Sequence, residues 1–360
     1  MSGEGGEPFG LLLVDKPAGP TSHDVVAWAR WALRTRRVGH CGTLDPGATG
    51  LVVLTVGAAT RLSELLTAAD KVYEAAFALG TSTATDDAAG EVVARAGVTP
   101  EALAAAGPTL LGMVGELELR PPRVSAIKLG GRRAHARVRA GEDFELPPRA
   151  MALRAVDGVR VDAAGCRVEA TVHVHKGTYV RSLAVELGRR LGIPAHLAML
   201  RRTRSGLARL DDPRVLRPVA LRLPPLAPGA PPGPPRYRLT LREPTDLAGA
   251  GDAGRGEDGE QLRRRLVPVV ELLGLPTLGV SEELQARLRQ GQRIPVSALG
   301  WQPREGDRAV VLGADVGGPL TIVEARPNPR AAAVEPPEPA FPPELARDPL
   351  VAQPAWTLRP

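Results

Sequence analysis

A stretch rich in proline and glycine interrupts the chain after about 220 residues and limits what the rest can fold into. Between residues 221 and 260, 15 of 40 residues are proline or glycine, with almost no apolar periodicity. Proline removes a backbone donor and glycine weakens regular structure, so this stretch predicts a linker or a long insertion. We therefore expect a large domain before it and a small domain after it.

The part of the chain after this stretch contains an ordered pattern followed by a disordered one. Beyond it, apolar spacing indicates a helix over Glu282–Arg289 and strands near 308–313 and 320–324. The end of the chain carries 10 prolines in 34 residues, a composition typical of disorder. We therefore expect five segments: a flexible N-terminus at 1–9, a main domain at 10–220, a linker or insertion at 221–262, a small domain at 263–326 and a disordered tail at 327–360.

The main domain contains both strand and helix patterns. One helix, capped by Thr21 or Ser22, ends in a basic run, and residues 180–190 predict another. Strands outnumber the helices that would cover them, so the expected class is α+β, with a central mixed, largely antiparallel sheet flanked by helices. The predicted strands cover residues 10–15, 51–56, 73–79 and 167–174.

Composition excludes several classes of protein. No apolar run approaches the roughly 18 residues of a membrane span, and we expect no membrane segment. The two cysteines, Cys41 and Cys166, lack metal-ligand spacing, which excludes a disulfide framework and a cysteine-based zinc site and fits a reducing cytoplasm. The net charge of +6 is compatible with a polyanionic partner.

The basic residues are unevenly divided between arginine and lysine. Only four of the 46 are lysines, so we expect the positions that keep lysine to depend on its side-chain chemistry. Ten arginines form three clusters that could neutralise phosphates, although scattered solvated arginines are the alternative. The lysines are Lys16, Lys71, Lys128 and Lys176, and the clustered arginines are Arg34, Arg36, Arg37, Arg132, Arg133, Arg137, Arg139, Arg201, Arg202 and Arg204.

A glycine-rich stretch at 39–50, Gly-His-Cys-Gly-Thr-Leu-Asp-Pro-Gly-Ala-Thr-Gly, holds the strongest candidate residue. Asp45 sits where the backbone can approach a ligand closely, and a turn-capping aspartate is the alternative. The stretch resembles the hallmark Gly-Thr-Leu-Asp-Pro loop of the TruB family of pseudouridine synthases. Further motifs stand in the family's order, at 15–19 before this stretch and at 71–73, 83–87, 121–128, 177–183 and 200–206 after it. The region of 290–293 is similar to the family's tail domain.

The resemblance implies a pseudouridine-synthase fold with a small β-rich, PUA-like C-terminal domain. It also implies that a uridine in the T loop of tRNA, position 55, is converted into its C5-glycosyl isomer without loss of the base. That uridine lies inside a folded loop, so it must be flipped out. No dinucleotide, ATP or metal motif is present in the sequence, so we expect catalysis without a cofactor or a metal.

By the resemblance, three residues carry the chemistry. Asp45 is the nucleophilic or charge-stabilising carboxylate, and Arg181 is expected to hold both of its oxygens and to lower its pKa. Tyr73 is expected to stack on the target base, with its hydroxyl placed to help proton removal from C5. The substrate-binding candidates are His40, which would replace the flipped base, Leu200 as a pocket wall, Tyr179, Lys16 and Lys128 as loop braces, and Arg132 and Arg202 as phosphate contacts.

Other functions stay open at this point. One alternative is an RNA-folding chaperone that uses the same cleft without turnover. Another is a related guide-RNA-dependent synthase, against which the short, divergent tail domain and the lack of lysine-rich tails argue. The main hypothesis is a monomer that needs no protein partner. Val124 and His135 depart from the family's pattern, at positions that bear on affinity for the substrate arm.

Overall fold

The structure is a computed structural model that describes residues 7–125, 127–129, 131–224, 235–242, 253–312, 320–328 and 350–358. No helix in these ranges is long and apolar enough to span a membrane. The helices are α1 (Ser22–Leu33), α2 (Ser63–Thr67), α3 (Pro100–Leu111), α4 (Ala134–Arg139), α5 (Val180–Leu191), α6 (Ala253–Arg264), α7 (Val269–Leu273) and α8 (Glu282–Arg289). The strands are β1 (Gly10–Lys16), β2 (Val38–His40), β3 (Thr49–Val56), β4 (Lys71–Leu79), β5 (Thr81–Thr83), β6 (Val92–Arg95), β7 (Gly115–Leu119), β8 (Lys128–Leu129), β9 (Arg132–Arg133), β10 (Arg149–Asp162), β11 (Arg167–Val174), β12 (Ala195–Ser205), β13 (Ala208–Arg209), β14 (Val219–Leu223), β15 (Arg236–Thr240), β16 (Thr277–Gly279), β17 (Ile294–Pro295), β18 (Arg308–Leu312), β19 (Leu320–Pro327) and β20 (Leu350–Leu358).

A nine-stranded mixed sheet forms the centre of the main domain. Its order is β1-β3-β12-β4-β11-β10-β7, with β2 paired to β3 and β13 paired to β12. Its neighbouring strands run antiparallel except β12 and β3, which are parallel where Arg201 pairs with Thr49 and Arg202 with Gly50. The predicted α+β class and the largely antiparallel sheet are confirmed. The parallel contact brings the first residues of β3 beside β12, close to the residues of the candidate site.

Strands β1 and β3 are buried on both faces, which explains their continuous apolar runs. On β3, Val52 and Leu54 face the core that the sheet shares with α1, α3 and α5, whereas Leu51 and Val53 face the opposite core. That second core includes Ile322 of β19. The C-terminal sheet therefore packs against the back of the main sheet and leaves the side that carries the helices for the site.

A five-stranded sheet forms the C-terminal domain, in the order β16-β18-β19-β20-β17. It has its own core, in which Leu288 of α8 packs with residues such as Ile294, Val323 and Ala352. The predicted helix Glu282–Arg289 is present, and the two predicted strands occur as β18 and β19. The expectation of a small β-rich C-terminal domain is confirmed.

The expected linker at 221–262 is instead part of the main domain wherever the structure describes it. β14 and β15 pair as a hairpin, and α6 packs against α1. The fully buried Asp258 of α6 accepts from Trp28 Nε1 at 2.9 Å and from the Leu241 N–H at 3.1 Å. Composition predicted a linker because the apolar residues that enter the core here, such as Leu239, are too few and too far apart to give a period. Residues 225–234 and 243–252 lie outside the described residues.

The expected disorder at 327–360 is wrong for β20. This strand lies between β19 and β17, and Val351 and Ala352 are buried. Pro354 is tolerated because β17 pairs only with Val351 and Ala352 and because the β19–β20 register shifts beside the proline. The prolines hid a strand that closes the C-terminal sheet. Residues 329–349 and 359–360 lie outside the described residues.

The two remaining domain boundaries also differ from expectation. Residues 1–6 lie outside the described residues, but Pro8 is buried and Glu7 forms an ion pair of 2.7 Å with Arg37, so flexibility does not extend through residue 9. At the other boundary, Val267 exchanges two backbone hydrogen bonds with Leu11 of β1, at 2.8 and 2.9 Å. The chain therefore contacts the main sheet once more before it enters the C-terminal domain.

Candidate active site around Asp45

The loop between β2 and β3 presents Asp45, and neighbouring side chains hold the backbone on both sides of it. The Ser22 hydroxyl at the start of α1 accepts from the Leu44 N–H at 2.8 Å and donates to the Leu44 carbonyl at 3.2 Å. On the other side, Lys16 Nζ donates to the Pro46 carbonyl at 3.1 Å. With both flanking residues fixed, the Asp45 carboxylate is held in a narrow range of positions.

Lys16 is fully buried at the end of β1. Its Nζ donates to three backbone carbonyls, those of Pro17, Pro20 and Pro46, at 3.0, 2.8 and 3.1 Å. Burial lowers the pKa of Lys16 to about 8, against the opposing charge of Asp45. This geometry supports the predicted role of Lys16 as a loop brace.

Arg202 is a second internal brace of the same loop. Only 1% of the residue is exposed, and Nε donates to the Leu51 carbonyl at 2.6 Å while Nη2 donates to the Gly42 carbonyl at 3.0 Å. Gly50 has φ +101°, and a Cβ there would collide with the Arg202 backbone, so this crossing of β3 and β12 requires glycine. The expectation that Arg202 contacts RNA phosphates is wrong, because its side chain lies inside the protein.

Arg181 ties the Asp45 carboxylate to the start of α5. Its side chain is 5% exposed, and Nη2 lies 3.0 Å from Asp45 Oδ2. Nη1 donates to the Thr85 carbonyl and Nη2 to the Val124 carbonyl, both at 2.9 Å. The guanidinium is therefore shared among several acceptors instead of clamping both carboxylate oxygens as expected. A buried cation at a helix N-terminus is unfavourable, and these acceptors offset that cost.

The electrostatics of Asp45 depend on burial and on two neighbours. Burial raises the pKa of Asp45 above its ordinary value, the charge of Arg181 opposes that rise, and the charge of Asp87 adds to it. Asp87 Oδ2 also lies 3.9 Å from Arg181 Nε. The charge of Arg181 does lower the pKa of Asp45, as expected. The net shift of that pKa is upward, however, so the expected net direction is wrong.

A small cleft of about 80 Å³ opens in front of Asp45. Met199 and Leu200 of β12 form one wall, and Met199 is 43% exposed. The structure therefore brings Leu200, predicted as a pocket wall, together with Asp45 and Arg181. The lining residues are Asp45, Gly47, Ala48, Asp87, Ala88, Ala89, Arg181, Leu197, Ala198, Met199 and Leu200.

The two candidate tyrosines occupy different places. Tyr73 lies on β4 in the main core, 8% exposed, and is not among the residues that line this cleft, so its stacking role stays a prediction. Tyr179 immediately precedes α5 and is half-buried. Burial raises the pKa of Tyr179, and the charges of Arg181 and Asp45 act on it in opposite directions. Tyr179 is therefore close enough to the ion pair for both charges to influence its hydroxyl.

His40 lies on β2, just before the loop that carries Asp45. Burial, followed by the neighbouring His23 and Arg202, lowers the pKa of His40, which favours the neutral ring. Its ring meets that of His23 edge to face, with centroids 5.3 Å apart. Nδ1 is buried, and within the described residues it has no hydrogen-bond partner. A nitrogen left unsatisfied in this way is compatible with the predicted contact to RNA, which stays a prediction.

Several arginines of the predicted phosphate clusters are paired with carboxylates. Arg201 contacts Asp15 through both terminal nitrogens, at 3.1 and 2.7 Å, and exposed Arg132 pairs with Glu142 at 2.6 Å. Lys128 lies in β8, which pairs with β9. Phosphate contacts by Arg132 and loop bracing by Lys128 stay predictions. Over the described residues, no group of three or more histidine, cysteine, aspartate or glutamate side chains could hold a metal ion.

Sequence reasoning missed the groups that orient Arg181. Thr85 and Val124 act through backbone carbonyls, which no side-chain pattern reveals. Asp87 could have been found, because it lies in the motif at 83–87 that contributed to the family resemblance. Ser22 was considered only as a helix cap, whereas Thr21 is the cap and Ser22 holds the loop that carries Asp45.

Known proteins match a segment of this chain that includes Asp45 and the loop around it. A family model described as TruB family pseudouridylate synthase (N terminal domain) matches residues 30–180. The tRNA pseudouridine synthase B of Rhodococcus jostii is 51% identical over 217 residues, which cover 59% of this chain and 70% of the relative. The protein of the same name from Leifsonia xyli is 46% identical over 249 residues, 66% of this chain and 82% of the relative. The chain belongs to the TruB family of pseudouridine synthases.

Solved structures extend the likeness to the C-terminal domain of this TruB-family chain. The crystal structure of a Cbf5-Nop10-Gar1 complex aligns with a TM-score of 0.59 and 25% identity, over 89% of this chain and 79% of the other. An H/ACA RNP structure with a substrate RNA aligns with a TM-score of 0.60 at 24% identity and shows the fold alone. The predicted pseudouridine-synthase fold is confirmed, and the five-stranded C-terminal sheet is PUA-like.

Proposed function

We propose that this TruB-family enzyme isomerises a uridine in the T loop of tRNA to pseudouridine, at position 55. The observation that carries the proposal is the ion pair between Arg181 and Asp45, the aspartate of the loop that resembles the family's hallmark motif. Relatives named tRNA pseudouridine synthase B support tRNA as the substrate. The T loop as the target follows from the resemblance of the motifs.

The reaction moves one bond and one proton within the same nucleotide. The glycosidic bond from N1 to C1′ breaks, the uracil turns in the cleft, and C5 bonds to C1′. C5 then loses its proton, and N1 gains one. In this proposal the Asp45 carboxylate attacks the ribose or the base, or stabilises charge during elimination. Arg181 holds the carboxylate in place, and its charge opposes the rise in the pKa of Asp45 that burial causes, which favours the ionised form.

The remaining site residues bind the flipped nucleotide in this proposal. Leu200 forms the wall of the cleft, Tyr73 stacks on the base, and Tyr179 lies beside the ion pair. His40 occupies the space that the base leaves in the T loop. Such contacts offset the few kcal/mol that extrusion of the base costs.

The assembly and location of the enzyme are part of the proposal. We propose that it works as a monomer in the cytoplasm, on tRNA alone, without a guide RNA or a partner protein. Activity on a bare tRNA transcript tests whether a guide RNA or a partner protein is needed. A requirement for a second RNA or protein would favour the guide-dependent alternative.

The test of function is Asp45→Asn, assayed by tritium release from C5-labelled uridine in tRNA. We expect turnover to fall to background, because the amide cannot attack or balance charge, while tRNA affinity stays within about threefold. Asp211→Asn, at an exposed carboxylate paired with Arg209, is the matched control and should keep full activity. Near-normal turnover in Asp45→Asn would refute the catalytic assignment, and a wild type that binds tRNA without turnover would favour the chaperone.

A further inference from the structure

One glutamate between α4 and β10 holds two arginines of the neighbouring elements. Glu142 places Oε1 2.6 Å from Arg132 Nη1 of β9 and Oε2 2.6 Å from Arg137 Nε of α4. Its backbone N–H also donates to the Arg137 carbonyl at 3.1 Å. The hydrogen bond from Arg137, assisted by Arg132, lowers the pKa of Glu142, so this carboxylate is ionised at neutral pH.

The next three residues extend the same arrangement. Asp143 Oδ1 lies 2.8 Å from Arg123 Nη2, and Glu145 Oε2 lies 2.5 Å from Arg120 Nη1. The Phe144 ring receives the guanidinium groups of Arg123, at 5.3 Å from the ring centroid, and of Arg137, at 4.8 Å. We call residues 142–145 the acidic strap. We call its four partners the arginine face: Arg120, Arg123, Arg132 and Arg137.

The arginine face is both suited to phosphate and able to release the strap. Arg120, Arg123 and Arg132 remain 62%, 49% and 58% exposed, so RNA can reach them. Asp143 and Glu145 are 97% and 77% exposed, and ion pairs in such positions contribute little to stability. A phosphate forms charge-assisted hydrogen bonds with a planar guanidinium as a carboxylate does, and an RNA backbone offers several phosphates at once.

We infer that the acidic strap is an internal competitor of RNA: it pairs with the arginine face in the free enzyme, and the phosphates of the tRNA backbone displace it. The inference rests on the proposed tRNA substrate. The strap then lowers tRNA affinity below what the arginines alone would give, because part of the phosphate attraction is used to break four existing pairs. When the product leaves, the strap pairs with the arginines again, and this rebinding speeds release.

The experiment compares two triple variants that raise the net charge equally, from +6 to +9, because each removes three carboxylates. The strap variant is Glu142→Gln, Asp143→Asn, Glu145→Gln. The control variant is Asp211→Asn, Glu257→Gln, Glu260→Gln, at exposed ion pairs outside the strap. Dissociation constants for a tRNA transcript are measured at about 0.1 M salt, together with dissociation rates.

We expect the strap variant to bind tRNA about tenfold more tightly than wild type and to release it more slowly. The control variant should stay within about threefold of wild type. Equal or weaker binding by the strap variant, relative to the control, would overturn the inference and show that the strap orients the arginines instead. Pseudouridine formation by wild type on the same transcript is measured in parallel. Loss of that activity would refute the proposed function without affecting the result for the strap.

Discussion

Replacing Arg202 by methionine tests whether this arginine is an internal brace or a phosphate contact. Methionine keeps much of the unbranched stem but removes both donors that reach Leu51 and Gly42. The buried Leu51 carbonyl and the partly buried Gly42 carbonyl would lose these donors, and residues 42–45 would lose one of their attachments to β12. We therefore expect lower stability and lower turnover from a single substitution that touches no substrate.

The magnitude follows from the two lost hydrogen bonds. Hydrogen bonds from a charged donor contribute about 1.5 to 3 kcal/mol each, and removal of a buried charge returns part of its desolvation cost. The expected net loss for Arg202→Met is about 3 kcal/mol, which corresponds to about 6 to 12 °C in Tm for a domain of this size. Arg202→Lys keeps the charge but reaches at most one of the two carbonyls, so it should lose about half as much.

The assay combines urea unfolding with the salt dependence of tRNA binding. Arg202→Met should leave the slope of log Kd against log salt unchanged, because a buried arginine neutralises no phosphate. The control is Arg204→Met on the same strand, where the side chain is exposed and the stability change should stay within about 0.5 kcal/mol. Arg202→Met with wild-type stability and a slope reduced by about one unit would refute the brace and restore the phosphate contact.

Two further predictions concern the parts of the fold that hold the site. Asp258→Ala should lower the free energy of unfolding by about 2 to 4 kcal/mol in urea titrations, because Trp28 Nε1 and the Leu241 N–H both lose a buried acceptor. The control is Glu257→Ala, at an exposed ion pair, which should lower the free energy of unfolding by less than about 0.5 kcal/mol. Turnover of wild type should fall above about pH 8, because burial lowers the pKa of Lys16 to about 8 and a neutral amine has two hydrogens for three carbonyls. Since this folded pKa lies below the unfolded 10.5, deprotonation favours the folded state between these values, so the fall is in rate and not in stability. Lys16→Arg, charged throughout, should lack the fall, and the same fall in that variant would contradict the reasoning.

The fold was most predictable where strands are buried and helices have clear ends. The apolar runs at Arg167–Val174 and in β3 form strands as predicted. The helix predicted at 180–190 is α5, and it ends before Gly192, which has the left-handed conformation that glycine favours. The hairpin of β14 and β15, the helix α6 and the strand β20 could not be found in the same way. Each has too few apolar residues to give a period, and tertiary partners decide its structure.

The site was predictable in its side chains but not in its connections. The motif resemblance selected Asp45 and Arg181, and the structure places them 3.0 Å apart. The resemblance could not predict that the pKa of Asp45 is raised. Burial causes that rise, and burial depends on the fold of the whole loop and not on the nearest cation alone. Sequence reasoning also assigned Arg202 to RNA, because a basic run in a sequence does not show which arginine turns inward.

The choice between lysine and arginine at the buried positions follows from the carbonyls that each must satisfy. Lys16 and Lys71 each end in a cluster of backbone carbonyls, three around Lys16 and two around Lys71, and burial lowers both pKa values to about 8. A compact ammonium directs several hydrogens from one atom, which suits acceptors gathered around a point. Arg202 serves one carbonyl on β3 and another in the loop, so it needs nitrogens that are spread apart. Lys16, through the Pro46 carbonyl, and Arg202, through the Gly42 carbonyl, thus fix the two ends of the segment that carries Asp45.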